Sequence, residues 1–131
     1  MTISDTDIIN KYWFFQPDPT LQNNLIAFGF ECGPGWLSMI NELCEKLDNL
    51  ISEKHLDLKN DFRVLQVKEK YAGLKFYVSS AYDDIFDLID EYEDMSYNIC
   101  EECGKSPAHQ VEKHGWIMTR CDECAKILEG K

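Results

Sequence analysis

Two Cys-x-x-Cys pairs near the C-terminal end constrain this chain more than any other feature of its sequence. Cys100 and Cys103 form the first pair, Cys121 and Cys124 form the second, and seventeen residues separate them. Each pair can offer two thiolates to one tetrahedral ion, and zinc prefers such a four-sulfur set. Two short strands around Lys113-His114-Gly115 are expected between the pairs. The spacing therefore predicts a zinc ribbon with one structural Zn2+, and a rubredoxin-like iron or an iron–sulfur cluster is the alternative.

The sequence around these pairs lacks the patterns of catalytic metal sites. Zinc deaminases carry His-x-Glu ahead of Pro-Cys-x-x-Cys, and here no Glu follows His109 at that spacing. Nucleases of the His-Asn-His kind need an Asn inside the ribbon, whereas residues 104–131 contain none. We therefore expect a structural metal and a protein that is not an enzyme. A nuclease that uses His109 or His114 with a second metal ion is the alternative.

The charge balance limits the partners that are expected. Acidic residues outnumber basic residues 24 to 13, which gives a formal net charge of -11. Such a chain avoids nucleic acid and anionic membranes unless a local basic surface reverses the sign. Residues 1–10 contain two aspartates and no apolar stretch of a secretory signal, and no apolar run approaches the ~20 residues that a bilayer requires. We expect a cytoplasmic protein, in which paired thiols bind metal rather than form disulfides.

Hydrophobic periodicity predicts an α+β fold with two main amphipathic helices. Apolar residues recur at spacings of three and four over residues 35 to about 55, and again over about 81–98. A shorter helix is predicted to begin near Asp5 or Thr6 and to end before Pro17. Residues 1–98 are expected to form the α+β core, and residues 99–131 the zinc ribbon that packs on it as one structural unit. The expected buried stripe of the second main helix comprises Ile85, Leu88, Ile89, Tyr92 and Met95.

A β-hairpin is predicted between the two main helices, which should both pack on it. Apolar residues within 62–80 alternate with polar ones on both sides of Tyr71-Ala72-Gly73, and Gly73 is expected to take a positive φ. Phe62 and Val64 break the alternation, so we expect either a β-bulge or a strand covered on both faces there. The hairpin residues expected to pack on the helices are Leu65, Val67, Leu74, Phe76 and Val78.

Two charged surfaces are expected on this core. The outward residues of the second main helix are acidic, and no Lys or Arg occurs between this helix and Lys105. This acidic surface is either solvated, or docks on a basic partner, or imitates the phosphate path of a nucleic acid. Its predicted partner-binding residues are Asp83, Asp87, Asp90 and Asp94. The second surface is the outer face of the hairpin, with the predicted partner-binding residues Gln66, Lys68, Lys70, Lys75 and Tyr77.

Four motifs, taken in order, resemble those of an uncharacterised family of small zinc-ribbon proteins encoded by bacteriophages and bacteria. They are FECGPGW, QVKEKYAGLKFYV, EDMSYNICEECG and GWIMTRCDEC, and they span about residues 26–126. The family pattern reads approximately CGxGW, QVKEKYxGLxFY, MSxxxCExCG and GWxxTxCDEC. The resemblance implies a zinc ribbon without an established activity, and it draws attention to the outer hairpin face. Lys75 stands where Arg is frequent in the pattern, and it lacks the planar fork of Arg for bidentate contacts.

These observations favour a non-enzymatic protein-binding module with a structural zinc. Opposed charged surfaces suit fast, salt-sensitive docking of a protein partner, or pairing between copies in a homo-oligomer. The phage-linked resemblance implies an inhibitor of a host system, of the anti-defence or anti-CRISPR type. Neither a membrane nor nucleic acid is the expected partner. The alternative is a metal-dependent nuclease or a nucleic-acid-binding zinc-ribbon protein.

Overall fold

In the computed structural model, which describes residues 3–16, 26 and 29–130, four α-helices accompany two antiparallel β-hairpins. The helices are α1 (Asp5–Lys11), α2 (Leu37–Lys54), α3 (Asp83–Ser96) and α4 (Asp122–Glu129). The strands are β1 (Val64–Lys70) and β2 (Gly73–Val78) in the first hairpin, and β3 (His109–Lys113) and β4 (Trp116–Arg120) in the second. The predicted α+β fold is confirmed, with α4 as an element that was not predicted. Within the described ranges, no helix combines the length and the apolar content needed to cross a bilayer.

Helix α2 forms the centre of the core because its apolar residues share one face. Leu43, Leu47 and Ile51 are completely buried, whereas most polar residues between them are exposed. Helix α3 packs on α2, and strand β2 packs on α3. One buried cluster therefore contains residues of both main helices and of the first hairpin.

A β-bulge shifts the register at the start of the first hairpin. The pairing of β1 with β2 changes between Val64 and Gln66, so Val64 is completely buried and Leu65 is left half-buried. The prediction that Leu65 packs in the core is wrong, because the extra residue of the bulge turns it away. The other predicted residues are Val67, Leu74 and Phe76, which are buried, and Val78, which is half-buried.

The turn between β1 and β2 also differs from the prediction. Tyr71 and Ala72 occupy the left-handed region, with φ of 52° and 74°, and Gly73 does not. A two-residue type I′ turn requires positive φ at both central residues, which explains why the prediction for Gly73 was wrong. Gly73 is needed for space instead, since a Cβ atom there would lie 2.4 Å from the Tyr97 side chain.

The buried face of α3 ends on a polar residue rather than on Met95. Ile85 and Tyr92 are completely buried, but Met95 is exposed, so its predicted place in the stripe is wrong. Ser96 is buried in its stead, and its Oγ accepts a hydrogen bond from the Leu74 N–H at 2.9 Å. The last turn of α3 faces the backbone N–H of Leu74 in β2, which is buried and therefore requires a hydrogen-bond acceptor. The hydroxyl of Ser96 is a good acceptor, whereas the thioether of a methionine is a weak one.

Replacing Phe76 by Ala should lower the free energy of unfolding by about 3–5 kcal/mol, since a buried aromatic side chain is lost. Phe76 is 7% exposed within the core cluster, whereas its neighbour Tyr77 is 41% exposed on the other face of the strand. Tyr77→Ala is the matched control and should cost less than about 1 kcal/mol. Chemical denaturation of both variants measures the difference. A loss below 1 kcal/mol for Phe76→Ala would mean that the two faces of the hairpin are reversed.

Candidate metal centre

Four cysteine side chains meet at the base of the second hairpin. Their sulfur atoms all lie within 4.8 Å of one another, and they belong to Cys100, Cys103, Cys121 and Cys124. The distance between Cys103 Sγ and Cys121 Sγ is 3.5 Å. A tetrahedral ion with metal–sulfur bonds of about 2.3 Å places its sulfur atoms roughly 3.8 Å apart. The four predicted ligands are therefore brought together with a donor set and a spacing that fit one tetrahedral metal ion.

One cysteine pair precedes β3 in the sequence and the other follows β4, and a tight backbone turn orients the first pair. Cys100 and Cys103 flank a turn in which the Gly104 N–H donates to the Cys100 carbonyl at 2.8 Å. Gly104 has a φ of 82°, which favours glycine. Cys121 follows β4 as the N-cap of α4, and Cys124 lies in the first turn of that helix. Because β3 and β4 are antiparallel, they bring the second cysteine pair close to the first.

Hydrogen bonding favours ionisation of one of the four thiols. Burial opposes ionisation of Cys100, but backbone N–H groups, chiefly that of Cys121, outweigh it and lower the pKa of Cys100 to about 6. Burial, followed by hydrogen bonds with the neighbouring thiols, raises the pKa of Cys124 to about 12. Metal binding requires its cysteine ligands as thiolates, so an ion that binds here would release protons.

The loop over residues 32–36 packs directly on the first cysteine pair. The Gly35 N–H donates to the Glu101 carbonyl at 2.7 Å, and Trp36 Nε1 donates to the carbonyl of the residue before Cys100 at 2.8 Å. A Cβ atom on Gly35 would lie 2.2 Å from the Cys100 carbonyl oxygen, so only glycine allows this approach. The CGPGW motif thus has a structural role beside the centre.

Glu101 is the buried carboxylate that joins the core to the second hairpin. Its Oε2 accepts a hydrogen bond from the Gly33 N–H at 2.7 Å, and its Oε1 lies 3.3 Å from Arg120 Nη1. A buried carboxylate requires such partners to offset the loss of its hydration. In addition, Thr119 Oγ1 donates to the Ala72 carbonyl at 2.6 Å. Buried polar contacts therefore attach β4 to the core independently of the cysteines.

The two histidines of the nuclease hypothesis are exposed and lie outside the four-sulfur group. His109 Nε2 is 3.5 Å from Asp122 Oδ1, and His114 occupies the turn between β3 and β4 with a φ of 53°. In the part of the chain that the structure describes, the four cysteines are the one cluster of at least three His, Cys, Asp or Glu side chains arranged to hold an ion. The half-buried thiol of Cys32 is not part of it.

The five predicted hairpin residues share the outer face of the first hairpin. The pairing of β1 with β2 places their side chains on one face of the hairpin, and the five residues are Gln66, Lys68, Lys70, Lys75 and Tyr77. Lys75 is already paired with Glu93 of α3, and this hydrogen bond raises the pKa of Lys75. Gln66 Nε2 donates to the Glu31 carboxylate at 3.2 Å. The other two lysines of the set form no ion pair with any described residue.

The predicted acidic residues lie on the exposed surface of α3. They are Asp83, Asp87, Asp90 and Asp94, all of them exposed. Their neighbour Asp84 is bound instead by His55, whose Nε2 lies 2.8 Å from Asp84 Oδ2, and this hydrogen bond lowers the pKa of Asp84. No salt bridge between described residues neutralises the four predicted aspartates. The acidic surface and the hairpin surface therefore meet at the pair of Lys75 with Glu93.

Two exposed aromatic residues were not predicted as functional. Tyr71 is 76% exposed and Trp116 is 73% exposed. They line a groove of about 470 Å³ between the first and second hairpins, together with Lys68, Glu69, Lys70, Gly115 and Ile117. The alternation within each strand carries no signal for this groove, because it forms only where the two hairpins meet.

The cysteine centre has the geometry of a structural site. Four sulfur donors complete a tetrahedral set, so no coordination position is left for water or substrate. The four clustered cysteines thus form a structural metal-binding module. Comparison of the chain with protein-family models, with curated proteins and with solved structures found no match.

Proposed function

We propose that this protein is a non-enzymatic protein-binding module whose second hairpin is held by one structural Zn2+. The closed four-sulfur group carries the proposal, since catalytic zinc keeps a position open for water. Thiolate ligands in a tetrahedral arrangement favour Zn2+ over ions such as Mg2+ and Mn2+, which prefer oxygen. The centre then stabilises the fold, and the surface of the protein performs the function.

The acidic surface of α3 supports a basic protein as the partner. Its aspartates are exposed and are not neutralised within the described ranges. A surface of one sign accelerates association with an oppositely charged partner and makes the complex sensitive to salt. Proteins that bind nucleic acid carry such basic surfaces. A module that covers one of these surfaces would compete with the nucleic acid.

The resemblance to phage-encoded proteins supports an inhibitory role. An inhibitor of a host defence system, of the anti-defence or anti-CRISPR type, can act by covering a basic surface without any catalysis. This role requires a preformed acidic surface and a rigid scaffold. The packing of α3 on both α2 and β2 is the scaffold that holds the acidic surface in place.

Capture of proteins from bacterial lysate tests this role. The wild-type chain is compared with a variant that combines Asp87→Lys, Asp90→Lys and Asp94→Lys. The control combines Glu45→Lys, Glu53→Lys and Glu129→Lys, which changes the net charge equally at exposed positions outside α3. We expect wild type and control to retain the same basic proteins, which salt releases and the α3 variant loses. If all three chains retain the same proteins, or none does, the acidic surface is only a solvated surface and the proposal fails.

A further inference from the structure

The turn of the first hairpin is held against strand β4 of the second hairpin, so the groove between the two hairpins is preformed. The hydrogen bond from Thr119 Oγ1 to the Ala72 carbonyl joins two residues that are both completely buried. The groove of about 470 Å³ opens beside this contact. Pockets of this size accept ligand groups such as one or two large side chains.

The aromatic side chains at the groove are exposed, although most large apolar residues that the structure describes are buried or half-buried. Exposed Tyr and Trp are the residues that most often dominate binding energy at protein interfaces. Tyr71 also has a left-handed φ of 52°, which a non-glycine residue rarely adopts. Asn or Gly would suit this turn position better. The outward side chain of Tyr71 is therefore retained at a conformational cost.

Two lysines and one carboxylate line the groove, which is an excess of positive charge in a chain whose formal charge is -11. Lys68 and Lys70 line it, and Lys70 Nζ lies 5.6 Å from the centre of the Tyr71 ring. Glu69 also lines the groove, and its Oε2 already accepts a hydrogen bond from the Ala72 N–H at 2.8 Å. An occupant with negative charge is complementary to this arrangement.

We propose that this groove binds an extended acidic segment of a partner protein that carries one aromatic or large aliphatic side chain. That side chain would lie between Tyr71 and Trp116, and the acidic side chains would pair with Lys68 and Lys70. The inference rests on the proposed role as a protein-binding module, but it concerns a surface other than α3. Single-stranded nucleic acid offers similar chemistry, yet its many phosphates would be repelled by the acidic surface of α3, whereas a short peptide carries few charges.

Selection from a random peptide library on the immobilised, zinc-loaded full chain tests the groove. We expect the enriched peptides to combine Asp or Glu with Trp, Phe or Leu. Each selected peptide should bind saturably and shift the NMR signal of the Trp116 indole N–H. The indole N–H of Trp36 is the internal control, because that ring is completely buried and donates to a backbone carbonyl.

Three groove variants and one control define the site. Trp116→Ala and the double variant Lys68→Glu with Lys70→Glu should each weaken peptide binding about tenfold or more. The control, Lys54→Glu with Lys126→Glu, makes the same charge change at exposed positions outside the groove and should alter binding less than about threefold. Tyr71→Asn should also weaken binding about tenfold, while its unfolding midpoint stays equal or rises because the turn is relaxed.

Other outcomes would overturn the proposal. Enrichment of basic or uncharged peptides, no enrichment above the bare matrix, or full affinity in Trp116→Ala would each do so. An oligothymidylate that binds more tightly than the best peptide and is lost in the same variants would identify a nucleic-acid surface. Salt-sensitive self-association that the double lysine variant abolishes would identify a second copy as the occupant. The peptide and nucleic-acid results do not bear on the lysate capture by α3, so the two proposals fail separately.

Discussion

Removing the metal with a strong chelator should unfold residues 99–131 and leave most of the preceding core folded. The buried apolar cluster of this segment consists of Cys100, Ala108 and Cys121, whereas Trp116 and other large residues of the segment are exposed. Zinc binding to such small units contributes about 10–16 kcal/mol, so metal binding supplies most of their folding free energy. Hydrogen exchange at backbone amides, read separately for the core and for the second hairpin, measures the result.

Two serine substitutions complement chelation, one as a second test and one as its matched control. Cys121→Ser removes one ligand and should reproduce the loss of protection in residues 99–131. Cys32→Ser changes a thiol outside the four-sulfur group and should leave metal content and protection unchanged. Protection of the Glu101 amide, which donates to the Thr119 carbonyl at 3.1 Å, is the sensitive readout. If this amide stays protected after complete loss of metal, polar contacts rather than the ion hold the hairpin.

Replacing Gly35 by Ala should lower the free energy of unfolding by about 3 kcal/mol or more. A Cβ atom there would lie 2.2 Å from the Cys100 carbonyl oxygen and 2.5 Å from the Gly104 nitrogen. Both are backbone atoms, one of Cys100 and one of the residue after Cys103, so neither can rotate away as a side chain would. Chemical denaturation of the zinc-loaded protein measures the loss.

Gly130→Ala is the control for this substitution. The nearest atoms to a Cβ at Gly130 lie 3.5 Å and 3.8 Å away, and its φ of -73° suits any residue. We expect a change within about 0.5 kcal/mol for this variant. A cost below about 1 kcal/mol for Gly35→Ala would show that the loop does not pack on the cysteine pair as described.

Local signals predicted the main elements and the cysteine centre. The cysteines of each pair are separated by only two residues, so their pattern is visible in the sequence alone. Apolar residues recur at spacings of three and four throughout residues 37–54 and 83–96, and such long runs are typical of amphipathic helices. Helix α4 was not predicted because it has only eight residues and none of them is buried. The acidic first turn, Asp122 and Glu123, was a visible but weak signal for its start.

Contacts between distant parts of the chain could not be predicted from such patterns. Gly33 and Glu101 are 68 positions apart and meet only when the loop docks on the cysteine pair. The two glycines of CGPGW carry no local signal for this close approach. Similarly, Lys75 was assigned to a surface separate from the acidic helix, but the packing of β2 on α3 pairs it with Glu93. These features depend on tertiary packing, which periodicity does not specify.

Zinc K-edge X-ray absorption of the purified, metal-loaded chain, with elemental analysis of the same sample, measures the coordination of the ion directly. We expect one zinc per chain, four sulfur ligands at about 2.3 Å and no nitrogen or oxygen ligand. This result would establish a closed structural centre formed by the four cysteines. A bound water or histidine in the first coordination sphere, fewer than four sulfur ligands, or no bound zinc would contradict it.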